Sequence, residues 1–299
     1  MTFATPCKEV DRLAEQCRLN SCWLNGEAVT GLPATDRGLH YGDGLFETIR
    51  VDNKQPIWWQ QHLERLRLGC QRLGITIEPG IVEQELQGFI AEQKDHGIVK
   101  LMITRGSGGR GYSPSGANQP ARLLLWYPLP NYPAKNFQQG IQLFDCQSLL
   151  GHQPLLAGLK HLNRLEQVLA RQEWNDNQFA EGLMLDLNQH IVEGTMTNVF
   201  WVADNGELHT PNLNDCGVAG VCRQFVLQQA QQRGIATTQE RYTVADLAKA
   251  KEVFVCNSVI GIWPVRAYRQ WSWPLGSLTQ QLQALINAVM PCERLFSKQ

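Results

Sequence analysis

The sequence predicts two domains, each mixing β-strands with α-helices, and three observations carry that expectation. The length, 299 residues, exceeds the usual size of one domain, so two domains of roughly 130 and 160 residues are expected. Apolar spacing switches between strand alternation and helical recurrence in both halves. Pro128, Pro130 and Pro133 bracket a polar stretch that reads as an interdomain linker. The expected boundaries are an N-terminal extension over residues 1–20, a first domain over 21–130 and a second over 131–299.

Ser21–Leu24 and Glu27–Val29 form a hairpin around Asn25-Gly26, a pair that accepts the positive φ angles of a type I′ turn. Residues 35–44 are too rich in glycine for a strand, Leu45–Val51 alternates as a strand does, and Pro56–Trp59 returns the chain. Leu63, Leu66, Cys70 and Leu73 recur at helical spacing up to Gly74, a suitable stop, and Arg65 lies off their stripe. A second helix turns Val82, Leu86, Phe89 and Ile90 inward, and strands follow at Ile98–Thr104 and Arg122–Tyr127. In the second half, strands are expected at Ile141–Cys146, Leu183–Leu187, Ile191–Val192, Asn198–Val202 and Lys251–Cys256. A helix is expected to begin at about Lys160, with Leu162, Leu165, Val168 and Leu169 on one face. Others follow Gly220 and Thr243, and Leu278–Val289 closes the chain.

Composition excludes several classes of function. A formal net charge of −1 gives no case for a nucleic-acid or anionic-membrane partner. No apolar run approaches the roughly 20 residues of a membrane span, and Lys8, Asp11, Arg12, Glu15 and Arg18 interrupt the N-terminus, unlike a secretory signal. Nine cysteines without a Cys-x-x-Cys pair indicate neither a disulfide framework nor a zinc site, and His40, His62 and His161 are not spaced as a metal set. A reducing cytoplasm is the expected compartment.

Two charged residues stand where a bland sequence would not need them. Lys160, after Ala157-Gly158-Leu159, places a cation where the expected helix presents its positive end. A lysine amine is nucleophilic only when neutral, and at its ordinary pKa of about 10.4 roughly one in a few thousand is neutral at pH 7. Burial beside Leu155, Leu156 and Leu159, with Arg164 nearby, lowers that pKa. Glu193, before Gly194-Thr195, suits the ring nitrogen of a pyridine cofactor, which a carboxylate keeps protonated and electron-accepting. Taken singly, each is more often a surface lysine and a turn glutamate. Gly217–Arg223 offers an anion site, where glycines permit close approach and the N–H groups of Val221 and Cys222 open a helix. Asn257-Ser258 after a strand adds donors, and Arg65 a positive charge. The glycine-rich stretch from Arg105 through Arg110 to Tyr112 lacks the Gly-Lys-Ser/Thr ending of a P-loop. It suits capture of a carboxylated substrate by Arg105 and Arg110.

In combination these residues resemble the fold-type IV pyridoxal-phosphate enzymes, a group of branched-chain aminotransferases, D-amino-acid aminotransferases and lyases. The resemblance runs from about Ser21 to near the C-terminus. It rests on Asp36-Arg37-Gly38, Tyr41-Gly42-Asp43-Gly44-Leu45-Phe46-Glu47, His62-Leu63-Glu64-Arg65-Leu66, the lysine, Glu193-Gly194-Thr195 with Asn198-Val199-Phe200, and Gly220-Val221-Cys222-Arg223. It implies an α+β fold with a small N-terminal domain, a larger C-terminal domain with a β-barrel-like core, the cofactor between them, and a homodimer. It implies that Lys160 forms a Schiff base with pyridoxal 5′-phosphate and that Glu193 meets the pyridine nitrogen. Arg65, Val221, Cys222, Ser258 and Asn257 then hold the phosphate. Residues 105–112 and Leu159–Val168 are more similar to the group's lyases than to its aminotransferases, which usually carry Asn-Tyr after the lysine where this chain has Asn163-Arg164. The implied activity converts 4-amino-4-deoxychorismate to 4-aminobenzoate and pyruvate, a step toward folate. Lys160 moves the proton, and Arg110, Arg105 and Arg164 surround the substrate. The alternative is a branched-chain or D-amino-acid aminotransferase of the same fold.

Overall fold

The structure, a computed structural model, describes residues 21–296. The chain divides into two units, residues 21–59 with Leu66–Pro128, and residues 60–65 with 129–296.

In the first unit β1 (Cys22–Leu24), β2 (Glu27–Ala28), β3 (Gly44–Asp52), β4 (Gln55–Pro56), β5 (Gly97–Thr104) and β6 (Ala121–Tyr127) form one sheet in the order β2-β1-β6-β5-β3-β4. Every pairing in it is antiparallel. The first hairpin turns with φ of 52° at Asn25 and 87° at Gly26, the left-handed pair that Asn-Gly supplies without strain. The glycine-rich stretch before β3 holds one helical turn, α1 (Arg37–Tyr41), capped by Asp36 accepting from the Gly38 N–H. Helix α2 (Trp59–Leu73) stops where Gly74 takes a φ of 64°. Helix α3 (Pro79–Glu92) opens on a proline, whose missing N–H has no partner to lose in a first turn. Its buried face, Val82, Leu86, Phe89 and Ile90, forms the core with the strands, and Phe89 packs edge-on to Trp23 at 5.4 Å.

The second unit contains α4 (Lys135–Gln138), β7 (Ile141–Asp145), α5 (Leu165–Gln172), β8 (Phe179–Leu185), β9 (Ile191–Gly194), β10 (Asn198–Val202) and β11 (Leu208–Pro211). There follow α6 (Val221–Gln232), β12 (Thr237–Glu240), α7 (Val244–Leu247), β13 (Glu252–Asn257), β14 (Gly261–Tyr268), β15 (Trp271–Ser272) and α8 (Ser277–Val289). The strands make one sheet in the order β12-β11-β10-β13-β14-β7-β8-β9, with β15 on β14. The sheet curls into a half-barrel: β9 returns to pack on β10 and β11, and the Ile191 N–H donates to the Tyr242 carbonyl at 2.7 Å. The centre is dry enough that all five residues of β10 are buried and Phe200 stacks on Phe254 at 5.1 Å. Such strands read as unbroken apolar runs. No helix among the described residues is long and apolar enough to cross a membrane.

Two features depart from expectation. No helix begins at Lys160: α5 starts at Leu165, with Arg164 at its cap position. The cause is Arg164 itself, whose Nη2 donates to the Leu159 carbonyl and Nε to the His161 carbonyl, both at 2.9 Å. In a helix those carbonyls would accept from N–H groups four residues on, so the side chain holds the segment open. Apolar spacing also fails to predict β14, because Pro264 has no N–H for a central strand. It is tolerated because pairing with β7 begins one residue later, at Val265.

Candidate active site

Lys160 arrives on the loop between β7 and α5, and that loop is stitched to the segment before α6. The Gln153 N–H donates to the Asp215 carbonyl (2.8 Å), Gly158 N–H to Gly217 (2.9 Å), and Ala219 N–H to Gly158 (3.0 Å). Gly217 sits at φ 89°, and a Cβ there would lie 2.8 Å from both Leu213 and Val192, so only glycine fits.

Glu193 lies near the end of β9, 4% exposed, paired in register with Met184. Its Oε2 accepts from the Val218 N–H at 2.9 Å and from Asn198 Nδ2 at 3.4 Å, while Asn198 also donates to the Val218 carbonyl at 2.9 Å. Both bonds fall on Oε2, which leaves Oε1 for a further donor. Burial lifts the carboxyl to about 7, against the Val218 bond and the charges of Arg164 and Lys160, which pull it down. Arg164 is itself half-buried and its pKa lowered by desolvation, with Glu193 opposing and Arg65 adding to the depression. One field therefore joins Lys160, Glu193, Arg164 and Arg65. His161, lowered to about 4 by burial and then by Arg164, adds no positive charge to that field at pH 7.

Helix α6 begins at Val221 behind Gly220, with no side-chain cap and no acid in its first turn. Its leading N–H groups thus meet no negative group of their own helix. Arg65 Nη1 donates to the Ala219 carbonyl at 2.9 Å, which sets its guanidinium beside that terminus. The Cys222 side chain is wholly buried, its thiol toward the Gly261 carbonyl, so this residue offers its N–H only. Ser258 stands in the turn after β13. Asn257 braces that turn: its Oδ1 accepts from Val259 (2.8 Å) and Ile260 (2.9 Å), and its Nδ2 donates to the Met196 carbonyl (3.1 Å). These bonds give Asn257 a structural task in the turn that carries Ser258.

The glycine-rich loop belongs to the first unit and separates its two arginines. Arg105 bonds Asp43 through Nε (2.7 Å) and Nη2 (3.1 Å) and the carbonyls of Leu73 (2.8 Å) and Gly74 (2.9 Å). These bonds make Arg105 a brace between the loop and the end of α2. Arg110 is exposed. Sequence reasoning gave Arg37 no role, yet it is buried, shares Asp43, and donates to the carbonyls of Gly111 (3.0 Å), Tyr112 (2.9 Å) and Ser113 (3.3 Å). Burial alone would raise the Asp43 carboxyl, but bonds from Arg105 and Arg37 outweigh it and hold the group below its ordinary value.

A buried acid with one oxygen left to accept, a lysine in the same field and an uncapped helix terminus beside an arginine fit a phosphorylated pyridine aldehyde. Among the described residues no three of His, Cys, Asp and Glu are grouped to hold a metal ion. The amino-transferase class IV family matches residues 44–268, and the chain belongs to that family. Within it, the chain is 38% identical over 269 residues to the aminodeoxychorismate lyase of Vibrio harveyi, covering 89% of this chain and 99% of that protein. It is 30% identical over 250 residues to a putative branched-chain-amino-acid aminotransferase of Methanocaldococcus jannaschii, covering 81% and 86%. The crystal structure of 4-amino-4-deoxychorismate lyase from Pseudomonas aeruginosa matches with a TM-score of 0.88 at 48% identity, covering 90% of this chain and 99% of that one.

Proposed function

We propose that the chain is a pyridoxal-phosphate-dependent lyase that converts 4-amino-4-deoxychorismate to 4-aminobenzoate and pyruvate, working as a cytoplasmic homodimer. The likeness to two lyases, closer than that to the aminotransferase, supports the reaction. The observation that carries the reading is the Lys160 segment: Arg164, where the family's aminotransferases usually have a tyrosine, clamps the carbonyls on either side of the lysine and shares its field with Glu193.

Each residue then has a task. Lys160 would hold the cofactor through its amine and, once free, would take the proton from the amine-bearing carbon of the substrate and return it to the departing group. Bound pyridoxal phosphate supplies a sink for the electron pair that the lost proton leaves behind. Glu193, held by Val218 and Asn198, would keep the ring nitrogen protonated. The N–H groups of Val221 and Cys222, with Arg65 and Ser258, balance the phosphate charge. The C–O bond to the enolpyruvyl group breaks, the ring becomes aromatic, and the site chiefly has to orient the substrate. We assign Arg110 to a substrate carboxylate.

The second copy is supported by α5, whose Leu165, Val168 and Leu169 are 76%, 48% and 56% exposed within the chain, an apolar face of the kind a subunit covers. The test is spectroscopic. Wild-type protein reconstituted with the cofactor should show a visible absorbance band, and Lys160→Ala should lose both that band and turnover. A variant that kept both would overturn the assignment.

A further inference from the structure

Behind the Gly194–Thr197 turn lies an acid that the reaction does not use. Glu181, on β8, has no exposed surface, and it interrupts an otherwise apolar run, Phe179–Leu185. A carboxylate in a sheet interior is costly unless its oxygens are met by donors. Here five meet it. Oε1 accepts from the N–H groups of Gly182 (2.8 Å) and Thr195 (3.0 Å) and from the Thr195 hydroxyl (2.5 Å). Oε2 accepts from the Met196 N–H (3.1 Å) and the Thr197 hydroxyl (2.9 Å). The turn is closed by the Gly194 N–H on the Thr197 carbonyl at 2.7 Å.

What this turn touches is the cofactor site on three sides. Glu193 precedes it. Asn198 follows it and binds both Glu193 and the Val218 carbonyl. Across it, the Met196 carbonyl accepts from Asn257, whose other side-chain atom closes the turn that carries Ser258. We infer that Glu181 is a positioning residue for the cofactor site, fixing the Gly194–Thr197 turn and through it the placement of Glu193 and of the Ser258 turn. The inference rests on the assignment of Glu193 and Ser258 to the cofactor. Burial raises the Glu181 carboxyl against the bonds from Thr195, Gly182, Thr197 and Met196 that pull it down; where it is charged, it opposes at Glu193 the cations Lys160 and Arg164, with Arg223 and Cys216 the other groups in range.

Apoprotein is titrated with pyridoxal 5′-phosphate, with thermal unfolding of the same apoprotein as control. Glu181→Gln should weaken binding about tenfold, because each lost charged hydrogen bond frees part of the turn. Asn257→Ala should weaken it about threefold, and the double variant should fall short of the product of the two losses, since both act on one turn. Glu181→Gln should also lower the pH at which the bound cofactor's band responds to Glu193, because a neighbouring negative charge is gone while Lys160, Arg164, Arg223 and Cys216 remain. A lower unfolding temperature with unchanged affinity and unchanged pH response would make Glu181 merely structural and overturn the inference. So would strictly multiplicative losses. If Glu181→Gln does not fold, Thr197→Val removes one of the five donors with little change of shape, and unchanged affinity there overturns it equally. Glu193→Gln and Ser258→Ala run in the same titration: if neither alters the affinity or the band, the cofactor assignment itself has failed, whatever Glu181→Gln does.

Discussion

In its proposed role Glu193 has to be charged in a place that disfavours charge. Burial raises its carboxyl from 4.5 to about 7, so the folded apoprotein holds this proton more tightly than the unfolded chain does. Its contribution to stability is full below about pH 4.5 and is lost as pH rises through about 7, a difference of about 3 kcal/mol. Glu193→Gln should therefore equal the wild type near pH 4 and exceed it by up to about 3 kcal/mol at pH 8 in denaturant unfolding of apoprotein. Parallel pH profiles would contradict this. The two loop arginines separate at the same scale. Arg105→Ala strips Asp43 and two carbonyls of their donor and should cost about 3 kcal/mol of stability. Arg110→Ala should leave stability within about 0.5 kcal/mol and raise KM. Lys160 and Glu193 stood out by residue type and by the motifs around them, although the helix start that made Lys160 look misplaced is absent, since α5 begins at Leu165. The bracing task of Arg105 was not legible because its partners, Asp43 and the end of α2, lie far away in sequence. Glu181 left one sign, an acid within an apolar strand, and only its five donors make that sign readable.

At the scale of elements, α6 and α5 carry the consequences. Gly220, the residue before α6, leaves no room for a side chain, since a Cβ would stand 2.0 Å from Asn198 Oδ1. Gly220→Ala should displace Asn198 from Glu193 and Val218 and weaken cofactor binding at least tenfold. An intact affinity in the titration would show that Asn198 does not hold the site. The apolar face of α5 was visible as helical spacing, but spacing cannot say whether a face meets its own chain or another. With Leu165, Val168 and Leu169 exposed, the wild type should sediment as a dimer and a Leu165→Glu, Val168→Glu variant as a monomer. The start of α5 was misplaced for a related reason: apolar periodicity ran back past Leu165, while a side-chain clamp from Arg164 had already taken the carbonyls a helix needs.

For the whole molecule, the strand and helix sequence of the first unit could be read almost throughout, because its signals are local: Asn-Gly at the hairpin, Gly74 after α2, Pro79 at α3. The curled sheet of the second unit could not, since β7, β8 and β14 pair across long sequence separations and Pro264 conceals a central strand. There the expectation of a barrel-like core came from resemblance rather than from spacing. Lyase and aminotransferase share this fold, so architecture does not choose between them, and the choice falls on the products. Purified holoenzyme is given 4-amino-4-deoxychorismate, and pyruvate and 4-aminobenzoate are measured together, beside a second assay for amino transfer from branched-chain and D-amino acids to 2-oxoglutarate. Equal amounts of pyruvate and 4-aminobenzoate are expected, with turnover that Lys160→Ala abolishes. Amino transfer without release of pyruvate would contradict it.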